Sequence, residues 1–106
     1  MSKLDKTITL EADRKTITDI ASGNADALKA LYRDHFPMVL HMVIQNNGTA
    51  EEAKDIFQEA VIVLYDRVRQ GEFELNSKLK TYIYAVCRRL WLKQLGGQER
   101  TFQDVS

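Results

Sequence analysis

The chain has 106 residues, 44% of them hydrophobic and 28% charged, with fifteen acids matched by fifteen bases. That composition describes one globular domain, able to bury roughly two thirds of its unfolded surface, and excludes a disordered chain. A single cysteine, Cys87, rules out an internal disulfide, and no apolar run approaches the roughly 18 residues of a membrane span.

The N-terminus, MSKLDKTITLEADRK, lacks an apolar signal region, so a reducing, cytoplasmic setting is expected. Residues 1–14 read as a flexible N-terminal tail, short and partly β-branched. A short leading helix is expected from Lys15 to Ala21, stopped by Ser22-Gly23. Asn24 is a good N-cap for the next helix, whose apolar positions recur at helical spacing from Ala27 to Ile44. Pro37 lies inside that pattern and is expected to kink or break it near Phe36. Asn47-Gly48 ends the helix, with Gly48 expected in the left-handed cap.

Thr49 and Glu52 then form a capping-box pattern. Ala53, Ile56, Phe57, Ala60, Val61, Leu64 and Val68 follow as a clean apolar stripe, closed by Gly71. A loop holds the exposed-looking Phe73 and two cap candidates, Asn76 and Ser77. The last helix is expected from Lys78 to Leu95, stopped by Gly96-Gly97. The fold expectation is all-α: a compact bundle of three main helices plus the short leading one, over residues 15–95.

The zero net charge hides an asymmetry. Glu11 to Glu74 carries twelve acids against seven bases, whereas Leu75 to Leu95 carries five bases and no acid. One end of the molecule should therefore attract anions. On a helical wheel of this basic segment, Leu79, Ile83, Val86 and Leu90 share a core face. Tyr84, Arg88, Trp91 and Leu95 form a second stripe, and Tyr82, Arg89 and Lys93 flank the core on the other side. The second stripe either packs a second neighbouring helix or offers aromatics and cations to nucleic acid. In the latter case rings stack on bases and cations hold phosphates.

Catalytic signals are scarce. His35 and His41 are not spaced as ligands on one helix face. Cys87 lies near the apolar face and reads as a small buried residue. Glu51 and Glu52 suit a helix N-terminus, where the macrodipole explains them. No glycine-rich phosphate loop occurs. Neither an enzyme activity nor a metal or other cofactor is expected.

Four segments carry a family resemblance: Leu31-Tyr32-Arg33-Asp34-His35-Phe36-Pro37, AEEAKDIFQEA with its apolar run to Tyr65, Phe73, and LKTYIYAVCRRL from Leu79. In this order and spacing they resemble the second conserved region of bacterial sigma factors of the extracytoplasmic-function group, from about Ala25 to Leu95. The resemblance implies a DNA-binding transcription initiation factor domain. Asp55, Gln58 and Glu59 would dock on the coiled coil of the RNA polymerase β′ subunit. The loop and last helix would recognise and melt the promoter minus-ten element, capturing single-stranded non-template bases. Phe73, Asn76 and Ser77 would line the loop side of a base pocket. Lys78, Lys80, Arg88 and Lys93 would hold phosphates, and Tyr82 and Tyr84 would be stacking or wall residues.

The chain also departs from the family. Tyr82 stands where a tryptophan is common, and Arg89 where an asparagine is common. Asparagine can read a base edge with donor and acceptor; arginine has donors only, so Arg89 suits a guanine edge or a phosphate. The family's C-terminal helix-turn-helix domain is not in this sequence, and residues 96–106 are expected to begin the linker to it. Many members also bind an anti-sigma factor. No membrane partner is implied. The competing expectation is a helical protein–protein adaptor without DNA binding.

Overall fold

A computed structural model describes residues 3–71, 73 and 78–98. The described residues form four helices and no strand: α1 Lys3–Ala21, α2 Ala25–Gln45, α3 Ala50–Arg69 and α4 Leu79–Gln98. The all-α bundle is as expected from the sequence, but several boundaries differ.

Helix α1 begins at Lys3, where a flexible tail over 1–14 was expected. Thr16 and Thr18 are accommodated because their hydroxyls bond back along the helix. Thr16 Oγ1 donates to the Ala12 carbonyl and Thr18 Oγ1 to that of Arg14, each at 3.0 Å. Lys15 and Asp19 add an i,i+4 ion pair at 3.1 Å. The helix closes as sequence predicts, in a Schellman motif. Gly23, at φ 80°, donates to the Ile20 carbonyl, and Asn24 N donates to that of Asp19. Asn24 then opens α2, its side chain accepting from Asp26 N and Ala27 N.

Helix α2 runs unbroken through Pro37, which is exposed. At its end the left-handed residue is Asn47 (φ 71°), not Gly48. Asn47 N donates to the Ile44 carbonyl and Gly48 N to that of Val43, a second Schellman closure. Gly48 is needed for a different reason. A Cβ there would lie 2.7 and 2.8 Å from the Trp91 ring, and nearer still to Val43 Cγ1. The capping box of α3 is complete: Glu52 N donates to Thr49 Oγ1 at 3.1 Å, and Thr49 N to Glu52 Oε1 at 3.0 Å. The second carboxylate oxygen of Glu52 accepts from Gln94 Nε2 at 2.9 Å, so one side chain ties the start of α3 to the far part of α4.

The core draws on all four helices. Ile17 and Ile20 come from α1, Leu31, Val39, Met42 and Val43 from α2, and the expected stripe Ala53, Ile56, Phe57, Ala60 and Leu64 from α3. Tyr32 and Phe36 stack at 4.7 Å, and both meet Phe57 edge-on across α2 and α3. Helix α4 supplies Leu79, Ile83, Val86, Cys87, Trp91 and Leu95. It continues past Gly96-Gly97 to Gln98 rather than stopping there. Glycine is costly in a helix but not forbidden, and Leu95, just before the pair, is anchored in the core.

Candidate nucleic-acid interface

The N-terminus of α4 is held by another helix. Lys78 occupies its N-cap position, with its carbonyl accepting from Tyr82 N at 3.1 Å. A lysine side chain is a donor only and cannot cap. Asp13 of α1 supplies the acceptor instead: Leu79 N donates to its Oδ2 at 2.9 Å. This acceptor comes from 66 residues upstream. Asn76 and Ser77, both as expected caps and as candidate base-pocket residues, lie outside the described residues.

Of the two readings of the second stripe of α4, the packing one holds for Trp91 and Leu95. Trp91 and Leu95 are 0% and 2% exposed, so the second stripe faces inward and packs the bundle. Tyr84 and Arg88, on the same stripe, are half-buried. Facing α2 on one side and α3 on the other, the helix must bury more than a single stripe. The outward arc is the other flank. Thr81, Ala85, Arg89 and Lys93 are exposed at i, i+4, i+8 and i+12, with Tyr82 half-buried beside them. Lys78 and Lys80 are exposed at the start of the helix.

Phe73, expected to stand out from the loop, is partly buried and meets Tyr82 edge-on at 4.9 Å. Each ring fixes the other, and both pack against the core. They therefore form a wall rather than a free stacking platform. The described end of α4 thus has cations at Lys78 and Lys80, a Phe73–Tyr82 wall, and an outer strip whose members are small near the wall and cationic farther along.

On α3, Asp55, Gln58 and Glu59 are all exposed and share one face. Ile62, one turn on, is 59% exposed. Beside it a groove of about 340 Å³ runs between α2 and α3, lined by Leu28, Tyr32, Phe57, Gln58, Val61 and Ile62. Sequence reading placed the polar patch but not the groove. Leu28 falls on the otherwise apolar stripe of α2, where periodicity does not reveal that it is left uncovered, whereas Ile62 lies off the α3 stripe, on the polar face with Asp55, Gln58 and Glu59.

Two titratable groups are perturbed by burial. His35 is held below its ordinary value of 6.5, mainly by desolvation. Asp34 and Asp13 pull it back up, and Lys80 pushes it further down. Its Nδ1 is buried and meets no hydrogen-bond partner among the described residues. The Cys87 thiol is pushed up to about 12 by burial alone, which leaves it protonated and unreactive at neutral pH. Among the described residues no cluster of His, Cys, Asp and Glu could hold a metal, and no helix is long and apolar enough to cross a membrane.

Comparison with known proteins gives two matches. The family model described as Sigma-70 region 2 matches residues 31–101. Over 82 residues the chain is 27% identical to the ECF RNA polymerase sigma factor SigW of Bacillus subtilis (strain 168), covering 77% of this chain and 43% of that protein. The chain therefore spans less than half the length of this relative. No solved structure matches it significantly.

Proposed function

The chain belongs to the sigma-70 region 2 family, and from that premise we propose that it docks on RNA polymerase through α3 and engages the melted minus-ten element through α4. It would do so as the region-two part of a sigma factor of the extracytoplasmic-function group. The observation that carries this reading is the outer face of α4: from Leu79 to Leu95 the helix holds no acid, and its exposed positions are Lys80, Thr81, Ala85, Arg89 and Lys93.

The chemistry of strand capture follows from that face. A melted strand needs cations along its backbone and a surface on which an extruded base can rest. Lys78, Lys80 and Lys93 supply exposed cations. Thr81 and Ala85 are small, so a sugar-phosphate backbone can approach the helix closely between them. The Phe73–Tyr82 pair gives an aromatic wall for a base at the loop end. Arg88, half-buried, would reach a phosphate from the edge of this face, and Tyr84 would serve as wall rather than platform. Arg89 would read a guanine edge or hold the backbone.

Docking uses a separate surface. Asp55, Gln58 and Glu59 would bond to basic and polar groups of the β′ coiled coil, and exposed Ile62 with the adjoining groove would receive an apolar side chain of the same partner. An anti-sigma factor would compete for this surface.

The test is anisotropy of labelled single-stranded oligonucleotides of varied sequence, titrated with the full chain plus core polymerase across a salt series. Tight, salt-sensitive and sequence-dependent binding is expected. Asp55→Ala with Gln58→Ala should weaken the polymerase complex while leaving stability within about 0.5 kcal/mol, as for other surface positions. Polymerase binding without any salt-dependent preference for single strands would point to the adaptor instead.

A further inference from the structure

We propose that Asp13 is a positioning residue for minus-ten recognition, setting the first turn of α4 against the rest of the bundle. This rests on the reading of α4 as the DNA-engaging helix. The Lys78 side chain at the N-cap of α4 carries only donors and cannot satisfy the Leu79 N–H. The carboxylate of Asp13 does so from α1. Asp13 is itself fixed: Ile17 and Ile20 lie on the same face of α1 and are buried in the core, so the helix cannot rotate without exposing them.

The placement matters because of what flanks Leu79. Lys78 precedes it and Lys80 follows it, and both are exposed cations of the proposed interface. The Leu79 side chain is buried. With its backbone N–H pinned as well, the two lysines emerge from a turn held at both side chain and main chain. A negative charge at this N-terminus also complements the helix dipole. His35 of α2 feels the charges of both Asp13 and Lys80, so α1, α2 and α4 converge here. Letting go of the cap would free the first turn to fray, and with it the pair of cations.

The experiment uses the full chain bound to core polymerase and compares Asp13→Ala, Asp13→Asn and Ile17→Val. Asn keeps an acceptor at the same reach. Ile17→Val lowers stability from the same helix while leaving the cap in place. Three quantities are read: amide exchange at Leu79, affinity for core polymerase, and the affinity ratio between a preferred and a scrambled single-stranded oligonucleotide. For Asp13→Ala, Leu79 exchange should rise about fivefold, the usual worth of one helix cap. The oligonucleotide ratio should fall with it while polymerase affinity holds, and Asp13→Asn should recover both.

An unchanged ratio in Asp13→Ala despite faster Leu79 exchange overturns the proposal. So does an equal loss in Ile17→Val, which would make the effect one of stability alone. If Asp13→Ala fails to fold, Asp13→Glu is compared with wild type: it keeps the charge but moves it outward by one methylene. Its ratio should fall, and an unchanged ratio overturns the proposal. If wild type itself shows no ratio, the reading of α4 fails, and the positioning role with it.

Discussion

Gly48→Ala should destabilise the protein although Gly48, unlike Gly23 and Gly71, has no positive φ that would reserve the position for glycine. The new Cβ would sit 2.7 and 2.8 Å from two atoms of the Trp91 ring and closer still to Val43 Cγ1. Neither neighbour can yield. The Trp91 ring is rigid and fully buried, and Val43 is fully buried with a stiff χ1 inside α2. Overpacking of this kind costs about 1–3 kcal/mol. The reduced freedom of the unfolded chain gives back about 0.4–1 kcal/mol. A net loss of about 1–2 kcal/mol follows, which for a domain of this size lowers Tm by about 5–15 °C. Urea unfolding reads it directly, because Trp91 is the sole tryptophan and its fluorescence reports the perturbed contact itself. Gly96→Ala is the control. It makes the same chemical change in α4 with nothing within 4 Å, and should stabilise by about 0.5–1 kcal/mol. A midpoint for Gly48→Ala at or above wild type would refute the packing argument.

Lys93→Ala should weaken oligonucleotide binding for all sequences alike and reduce the salt slope by about 0.7; a sequence-selective loss would move Lys93 from backbone to base. Arg89→Asn should alter base preference more than affinity, and an unchanged preference would place Arg89 on phosphate or in solvent. His35 gives a pH dependence. Its folded pKa is depressed, so below 6.5 the unfolded chain takes up the proton more readily than the native one and stability falls. Wild type should therefore lose stability relative to His35→Gln as the pH drops through and below 6.5, with the two converging in their pH dependence above it. Parallel curves throughout would show that His35 is not held neutral. Cys87 should resist iodoacetamide in the native protein at pH 8 and react once urea unfolds it; rapid native labelling would contradict its burial.

The helix boundaries that were legible are those written in neighbouring residues. Gly23 with Asn24, and Thr49 with Glu52, carry their partners within five positions, and the structure uses them as read. What escaped depends on partners far along the chain. Gly48 looks like a turn glycine until Trp91, forty-odd residues later, turns out to fill the space where its side chain would be. Asp13 looks like part of a solvated tail until it meets Leu79 N. The wheel of α4 correctly separated two stripes, but a wheel has no neighbours in it. Only packing between α2 and α3 decides that Trp91 and Leu95 go inward and that Arg89 and Lys93 face out. The exposed polar patch of α3 needed no such information, since Asp55, Gln58 and Glu59 lie opposite an unbroken apolar stripe.

The tight seating of α4 has an evolutionary consequence. Most of its circumference is committed to the bundle, and substitutions there are paid for in stability. Thr81, Ala85, Arg89 and Lys93 touch little of the core and can drift at small thermodynamic cost. A lineage could therefore vary this outer face one exposed position at a time while the scaffold stays intact. Arg89 stands on the part of the helix where such a step costs least.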